Sequence, residues 1–201
     1  EIRDLSTSSQ VKGESLEDTI RTFSSYVDLI IMRHHLSGFA EKASWVVNNT
    51  NRPIPVINAG SGPDQHPTQA LLDIYTLNRY LEGGLDGRHL VMVGDLKRGR
   101  TARSLAYLMK NYKDIRLTFV SPAAFGMNAD ILEFLQLHHI PYSQTDNLQS
   151  VLPNADALYI TRIQDEYDQT GESKKVDYSR FHFRFEDLQK IQKHTILLHP
   201  L

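Results

Sequence analysis

Residues 60–81, GSGPDQHPTQALLDIYTLNRYL, carry the side chains best suited to chemistry. A loop containing Gly60, Gly62 and Pro63 runs into a helix whose first turn holds His66, Pro67, Thr68 and Gln69. Pro67 fits there because the first helical N–H has no intrahelical partner to lose. An imidazole and a carboxamide at the positive end of a helix suit a reaction in which negative charge develops on an oxygen. On spacing alone, His66 reads equally well as a polar cap. Beyond that turn Leu71, Leu72, Tyr75 and Leu81 recur at roughly helical spacing, which predicts one buried face.

The elements around this stretch alternate. Ser15 with Asp18 marks a capped helix start, and Leu16, Ile20 and Phe23 fall on one face of the helix that follows, closing near Tyr26. A short apolar run at 29–32 reads as a buried strand, Phe39, Ala43 and Val46 as a second helix, and 55–57 as a second strand. After the central helix the rhythm restarts. Strand-like runs at 89–93, 117–120, 141–143, 158–160 and 196–198 alternate with helical patterns at 101–111, 130–138, 147–152 and 185–193. The fold class is α/β, with two Rossmann-like doubly wound parallel-sheet domains, the first incomplete, joined by a helix. The charged stretch 165–178 has no apolar period and reads as a functional loop or an exposed connection.

In such sheets ligands lie beyond the carboxyl ends of the strands where the strand order reverses. With the second set of strands ordered third-second-first-fourth-fifth, the loops 95–100 (DLKRGR) and 161–164 (TRIQ) flank that crevice, and 199–201 (HPL) follows the fifth strand. Lys97, Arg98, Arg100, Arg162 and Gln164 then converge on one mouth. Guanidinium groups match carboxylate and phosphate bidentately, so the mouth suits a small polyanion. Arg98 and Arg103 are read as solvated charges.

Several chemistries are disfavoured. Gly94, Gly99 and Thr101 approach P-loop spacing, but Arg100 stands where a Lys is required, and G-x-G-x-x-G is absent. His34-His35 and His138-His139 are adjacent pairs expected to point to different faces, and no H-E-x-x-H occurs, so no metal site is expected. There is no G-x-S-x-G, and Ser61 lies in a plain GSGP loop. The chain has no cysteine, which excludes disulfides and thiolate ligands. A formal net charge of −2, 40% hydrophobic residues and no apolar run of membrane-spanning length point to a water-soluble protein that binds neither nucleic acid nor membrane. A cytoplasmic setting is expected, and both ends read as cuts within a longer polypeptide. What remains is an anion-binding cleft with one well-placed His and no covalent nucleophile, a pattern suited to transfer between bound substrates.

HPTQALLDIYT, with VKGESLEDT (11–19), MRH (32–34), MVGDLKRGRT (92–101), YITRIQ (159–164) and HPL (199–201), resembles the aspartate carbamoyltransferases, motif by motif and in order. That family joins carbamoyl phosphate to the amine of L-aspartate in pyrimidine synthesis, without metal, cofactor or covalent intermediate. The resemblance implies that residues 1–65 are the C-terminal part of a carbamoyl-phosphate-binding domain, 66–81 a connecting helix and 82–201 an aspartate-binding domain.

By matching position, Arg33 would contact the phosphate and carbonyl oxygen of carbamoyl phosphate, and His66 would donate to that carbonyl oxygen as a neutral imidazole, whose protonation a helix N-terminus disfavours. Gln69 and the backbone carbonyls of Pro200 and Leu201 would hold the carbamoyl amine. Arg100, Arg162 and Gln164 would grip the aspartate carboxylates. Ser8 and Lys12 would reach into a neighbouring subunit's site, because the family assembles as a homotrimer with shared sites, sometimes with regulatory chains.

The family's Ser-Thr-Arg-Thr-Arg phosphate loop has no match here, so the 201 residues alone are expected to lack full activity. Two alternatives stand beside this reading. Ornithine carbamoyltransferase shares the HPxQ helix but carries His-Cys-Leu-Pro where this chain has His199-Pro200-Leu201. The other is a catalytically silent homologue acting as a structural subunit.

Overall fold

The computed structural model describes residues 13–164, 168, 171 and 173–200. The chain divides into two compact units, residues 1–64 and 65–201.

In the first unit, helix α1 (Leu16–Tyr26), strand β1 (Ile30–His34), helix α2 (Phe39–Asn48) and strand β2 (Val56–Ser61) follow in order. The helix start at Ser15 is as the sequence indicates: its Oγ accepts the Asp18 N–H at 3.1 Å. β1 and β2 pair in parallel, with Ile30 opposite Val56 and Met32 opposite Asn58. A βαβ crossover must pack its helix on one sheet face, and it does so here through Ile20, Ala43, Val46, Val47 and Ile54, with Ile30, Met32 and Val56 against them. Strand alternation sends Ile31 and Arg33 to the other face, where both are exposed. The His34 and His35 rings do not diverge as the adjacency suggested. They stack with centroids 4.3 Å apart, and His34 also stacks on Phe39.

The second unit opens with α3 (Pro67–Tyr80) and continues through β3 (His89–Val93), α4 (Arg100–Leu108), β4 (Arg116–Val120), α5 (Ala129–Leu137), β5 (Tyr142–Thr145), α6 (Leu148–Val151), β6 (Ala157–Ile160) and β7 (Ile196–Leu198). Its sheet is wholly parallel in the order β5-β4-β3-β6-β7, the expected reversal at the first strand of the set. Alternation along β3 explains the two layers. Leu90 and Met92 join Leu77, Leu105, Phe119, Leu135 and Tyr159 on one face, while Val91 and Val93 join Val120, Leu148, Leu152, Leu158 and Phe181 on the other. The helix expected at 185–193 is a short 3-10 segment, Phe185–Gln189, whose start is closed by Asp187 accepting the Arg184 N–H at 3.0 Å. Among the described residues no helix is long and apolar enough to cross a membrane.

The buried face of α3 is not the one its large residues suggested. Ala70, Asp73 and Leu77 are buried, followed by Leu81 just past the helix end, whereas Leu71, Leu72 and Tyr75 are 58%, 55% and 62% exposed. Spacings of three and four residues put the first set on one row, and Leu71 and Tyr75 share a neighbouring row. Choosing large apolar residues passed over the small Ala70 and the charged Asp73, which define the inward row.

The amino-terminal edge of the second sheet is tied by one carboxylate. Asp156, just before β6, accepts the His89 N–H at 2.7 Å, His194 Nε2–H at 2.8 Å and Arg88 Nη1–H at 3.2 Å. Burial alone would raise its carboxyl, yet these donors together hold it below the usual carboxylate value. A depressed pKa stabilises the fold above the ordinary carboxylate value of 3.8, and that contribution is lost as pH falls through the lower folded value. Asp156→Asn should therefore cost about 2 kcal/mol in urea unfolding at pH 7. The difference from wild type should shrink as the melts are repeated at acid pH.

Candidate active site

The start of α3 is built as a donor-bearing corner. Pro67 occupies the first helical turn and His66 is the N-cap, its Nδ1 accepting the Gln69 N–H at 3.3 Å, with Thr68 Oγ1 at the same distance. A ring nitrogen that accepts carries a lone pair, so the imidazole proton resides on Nε2. The His66 N–H donates to Ser104 Oγ at 2.9 Å, which pins this corner to α4. Gln69 Nε2 donates to Asp73 Oδ1 at 2.9 Å, one helical turn on.

A second carboxylate joins the two cationic loops. Asp95 lies two residues beyond β3 and is wholly buried. Its Oδ1 accepts the Arg98 N–H at 3.1 Å and its Oδ2 the Gln164 N–H at 3.3 Å. Burial pushes its carboxyl up, while these N–H groups and the charges of Arg98 and Lys97 draw it back. The backbone allows this closeness because residue 94 is glycine. Gly94 has φ +121°, and a Cβ there would lie 2.5 Å from the Thr161 carbonyl oxygen. A Cβ on Gly99 would meet the Asp95 carbonyl oxygen at 2.6 Å. The glycines that approached a P-loop spacing serve strand and loop packing at the switch point.

Two arginines differ from expectation. Arg98 is not a solvated charge: its side chain is 10% exposed, 3.2 Å from Asp168, 3.7 Å from Asp95 and stacked over the Phe125 ring. Arg103 grips Asp130 with two hydrogen bonds of 3.0 and 2.6 Å. Both positions lie where an opposing carboxylate from another element comes within reach, which linear spacing does not reveal.

Within the second unit the expected residues fall on the following elements. Arg100 begins α4, Arg162 is exposed on the loop after β6, Gln164 is held by Asp95, and His66 and Gln69 stand at the start of α3. Pro200 follows β7, whose Leu198 is level with Tyr159 of β6. Arg33 belongs to the first unit, on the exposed face of β1. Ser8, Lys12 and Leu201 lie outside the described residues, as does part of the stretch 165–178, of which Asp168 and the 3-10 turn Ser173–Lys175 are described. Among the described residues no group of three or more His, Cys, Asp or Glu is placed to hold a metal.

Sequence reasoning missed the supports: Asp73, Asp95, Ser104 and Tyr159. A signal existed for Asp95, a carboxylate just beyond a strand with backbone N–H groups three residues on. None existed for Ser104, which reads as an ordinary helical serine.

A doubly wound sheet with Arg100 and Arg162 on the loops at its strand-order switch, in a unit that also holds a capped helix N-terminus, has the architecture of the α/β proteins that bind ligands at that switch. The comparisons with known proteins make this particular. Residues 1–79 match the aspartate/ornithine carbamoyltransferase carbamoyl-P binding domain and residues 86–201 the Asp/Orn binding domain of the same family. The chain belongs to the aspartate/ornithine carbamoyltransferase family.

It is 46% identical over 198 residues to aspartate carbamoyltransferase 1, chloroplastic, of Pisum sativum, covering 96% of this chain and 49% of that protein. It is 41% identical to the aspartate carbamoyltransferase catalytic subunit of Methanocaldococcus jannaschii, covering 98% of this chain and 62% of that one. The chain thus spans about half the length of the plant relatives it matches. Aspartate transcarbamoylase from Trypanosoma cruzi, solved in complex with carbamoyl phosphate and aspartate, superimposes with a TM-score of 0.86 at 34% identity, over 100% of this chain and 64% of that one.

Proposed function

We propose that this chain serves the transfer of the carbamoyl group from carbamoyl phosphate to the amine of L-aspartate, giving N-carbamoyl-L-aspartate and phosphate. The observation that carries the reading is the placement of Arg100 on one, and of Arg162 and Gln164 on the other, of the two loops at the strand-order switch, with His66 in its Nε2–H tautomer pinned to α4 through Ser104. The names of the relatives and the ligands of the Trypanosoma cruzi structures support the same reaction.

In this reading Arg100, Arg162 and Gln164 bind the two carboxylates of aspartate and aim its amine. The amine attacks the carbamoyl carbon, and the carbonyl oxygen gathers negative charge as the tetrahedral intermediate forms. His66 Nε2–H, together with Arg33, stabilises that oxygen without giving up its proton. Gln69 Oε1 and the carbonyl of Pro200, with that of Leu201, accept from the carbamoyl NH2. The C–O bond to phosphate then breaks, phosphate leaves with the electron pair, and the departing phosphate takes up the proton that the amine gives up. From a neighbouring subunit of a homotrimer, Ser8 joins the carbamoyl-phosphate side and Lys12 acts as a catalytic and aspartate-binding group, in a cytoplasmic setting, with regulatory chains where the assembly has them.

Acceptor choice tests the reading. Active protein given carbamoyl phosphate with either L-aspartate or L-ornithine should form a ureido product with aspartate alone, read by a colorimetric ureido assay. Citrulline formation would reassign the acceptor. Failure of the full-length protein to bind carbamoyl phosphate or N-(phosphonacetyl)-L-aspartate in calorimetry would favour the silent homologue.

A further inference from the structure

Asp73 is a carboxylate in a place that stability does not favour. It lies on the inward row of α3, 5% exposed, among the apolar residues of the larger core. Burial raises its carboxyl against the pull of its Tyr159 and Gln69 hydrogen bonds, so ionising it there costs free energy that an apolar residue would not. Its two oxygens are divided between two donors. Oδ2 accepts the Tyr159 hydroxyl at 2.7 Å, and Oδ1 accepts Gln69 Nε2–H at 2.9 Å. Tyr159 is fully buried in β6.

This arrangement decides which end of the Gln69 amide faces outward. An ionised carboxylate accepts and never donates, so Gln69 must turn its NH2 towards Asp73. Oε1, an acceptor, is then the end left for a ligand. Without that constraint the terminal amide torsion is broad and nearly two-fold, and a donor would be presented about as readily.

We propose that Asp73, itself held by Tyr159, is a positioning residue that locks Gln69 with its acceptor outward and so selects an acyl phosphate whose carbonyl carbon bears NH2 over one that bears methyl. The inference rests on the reading in which Gln69 holds the carbamoyl amine. It also explains why a tyrosine stands at 159 in a strand of otherwise apolar side chains: its hydroxyl occupies Oδ2 and leaves Oδ1 for Gln69.

The test compares carbamoyl phosphate with acetyl phosphate, which lacks the NH2. In wild type, carbamoyl phosphate should outcompete acetyl phosphate. Asp73→Asn, able to donate to Gln69 and reverse its amide, should erase about tenfold of that preference through KM for carbamoyl phosphate. Tyr159→Phe should act in the same direction, and serves if the asparagine variant does not fold. In a Gln69→Ala background Asp73→Asn should cause no further loss, a result that a purely structural role would not give. A preference unchanged in both folded variants, or an equal loss with and without Gln69, overturns the proposal.

A readout independent of turnover separates this from the function itself. The Gln69 side-chain NH2 resonances should be shifted and slowed in exchange in wild type, and lose both features in Asp73→Asn. If the full-length protein with the wild-type sequence transfers no carbamoyl group, the reading of the function fails. The amide resonances then still decide the orientation: loss on substitution supports the lock, and indifference removes it.

Discussion

Replacing His66 with alanine is expected to lower the turnover of carbamoyl transfer by about 100- to 1,000-fold, the usual effect of removing one donor to a developing oxyanion. Aspartate affinity should stay near its wild-type value, because the proposed function assigns that substrate to Arg100, Arg162 and Gln164. The split arises because the Nε2–H bond strengthens only as charge moves onto the carbonyl oxygen. His66 also caps α3 through Nδ1, so the same change should cost about 1 kcal/mol of stability. His66→Asn separates the two effects. Asparagine is a good cap, and should restore the stability while leaving turnover low. Steady-state kinetics with denaturant unfolding of both variants measures this. Unchanged turnover in the alanine variant would remove His66 from the mechanism.

Gly94→Ala should be the most damaging single methyl addition in the second unit. The new Cβ would lie 2.5 Å from the Thr161 carbonyl oxygen and 2.6 Å from its Oγ1, and the backbone sits at φ +121°. Neither neighbour can yield cheaply. Thr161 N–H and Oγ1 both donate to the Val93 carbonyl, at 2.8 and 3.1 Å, so moving Thr161 opens the seam between β3 and β6. Strain and overpacking together should cost about 3 kcal/mol. The loss should appear as a lower urea midpoint, and as weaker aspartate binding because Arg162 and Gln164 move with Thr161. Full aspartate affinity in the alanine variant would show that the seam does not set the loop.

What sequence could reveal followed the type of signal. Strand order in the second unit is readable because the runs are short, most are apolar with β-branched residues, helical patterns separate them, and right-handed crossovers leave few arrangements. The loops bearing Arg100, Arg162 and Gln164 followed from that order. The supports did not, for a physical reason. Hydrophobic periodicity treats an Asp within a helix as a solvent-side residue, so Asp73 was invisible until Tyr159, 86 residues away, was seen to donate to it. Tyr159 itself was counted as strand apolar mass, which it is, and its hydroxyl was not given a partner. Arg98 reads as solvated from sequence because Asp168, the carboxylate 70 residues on that pairs with it, cannot be placed beside it by spacing. Long-range polar pairing leaves no periodic trace.

The strand β6 is only four residues long, yet each of its ends is fastened to a different carboxylate. Asp156 secures its entrance to His89, Arg88 and His194, and Tyr159 near its exit is secured to Asp73. Side chains alternate faces with a period of two, so a slip of one residue would turn Tyr159 away from α3 and put Leu158 in its place. It would also draw Asp156 off its three donors. Two polar locks therefore proofread the alignment of one strand against its neighbours. An alternative pairing that satisfies the apolar pattern but not both carboxylates is rejected, and the loop bearing Arg162 always emerges at the same height.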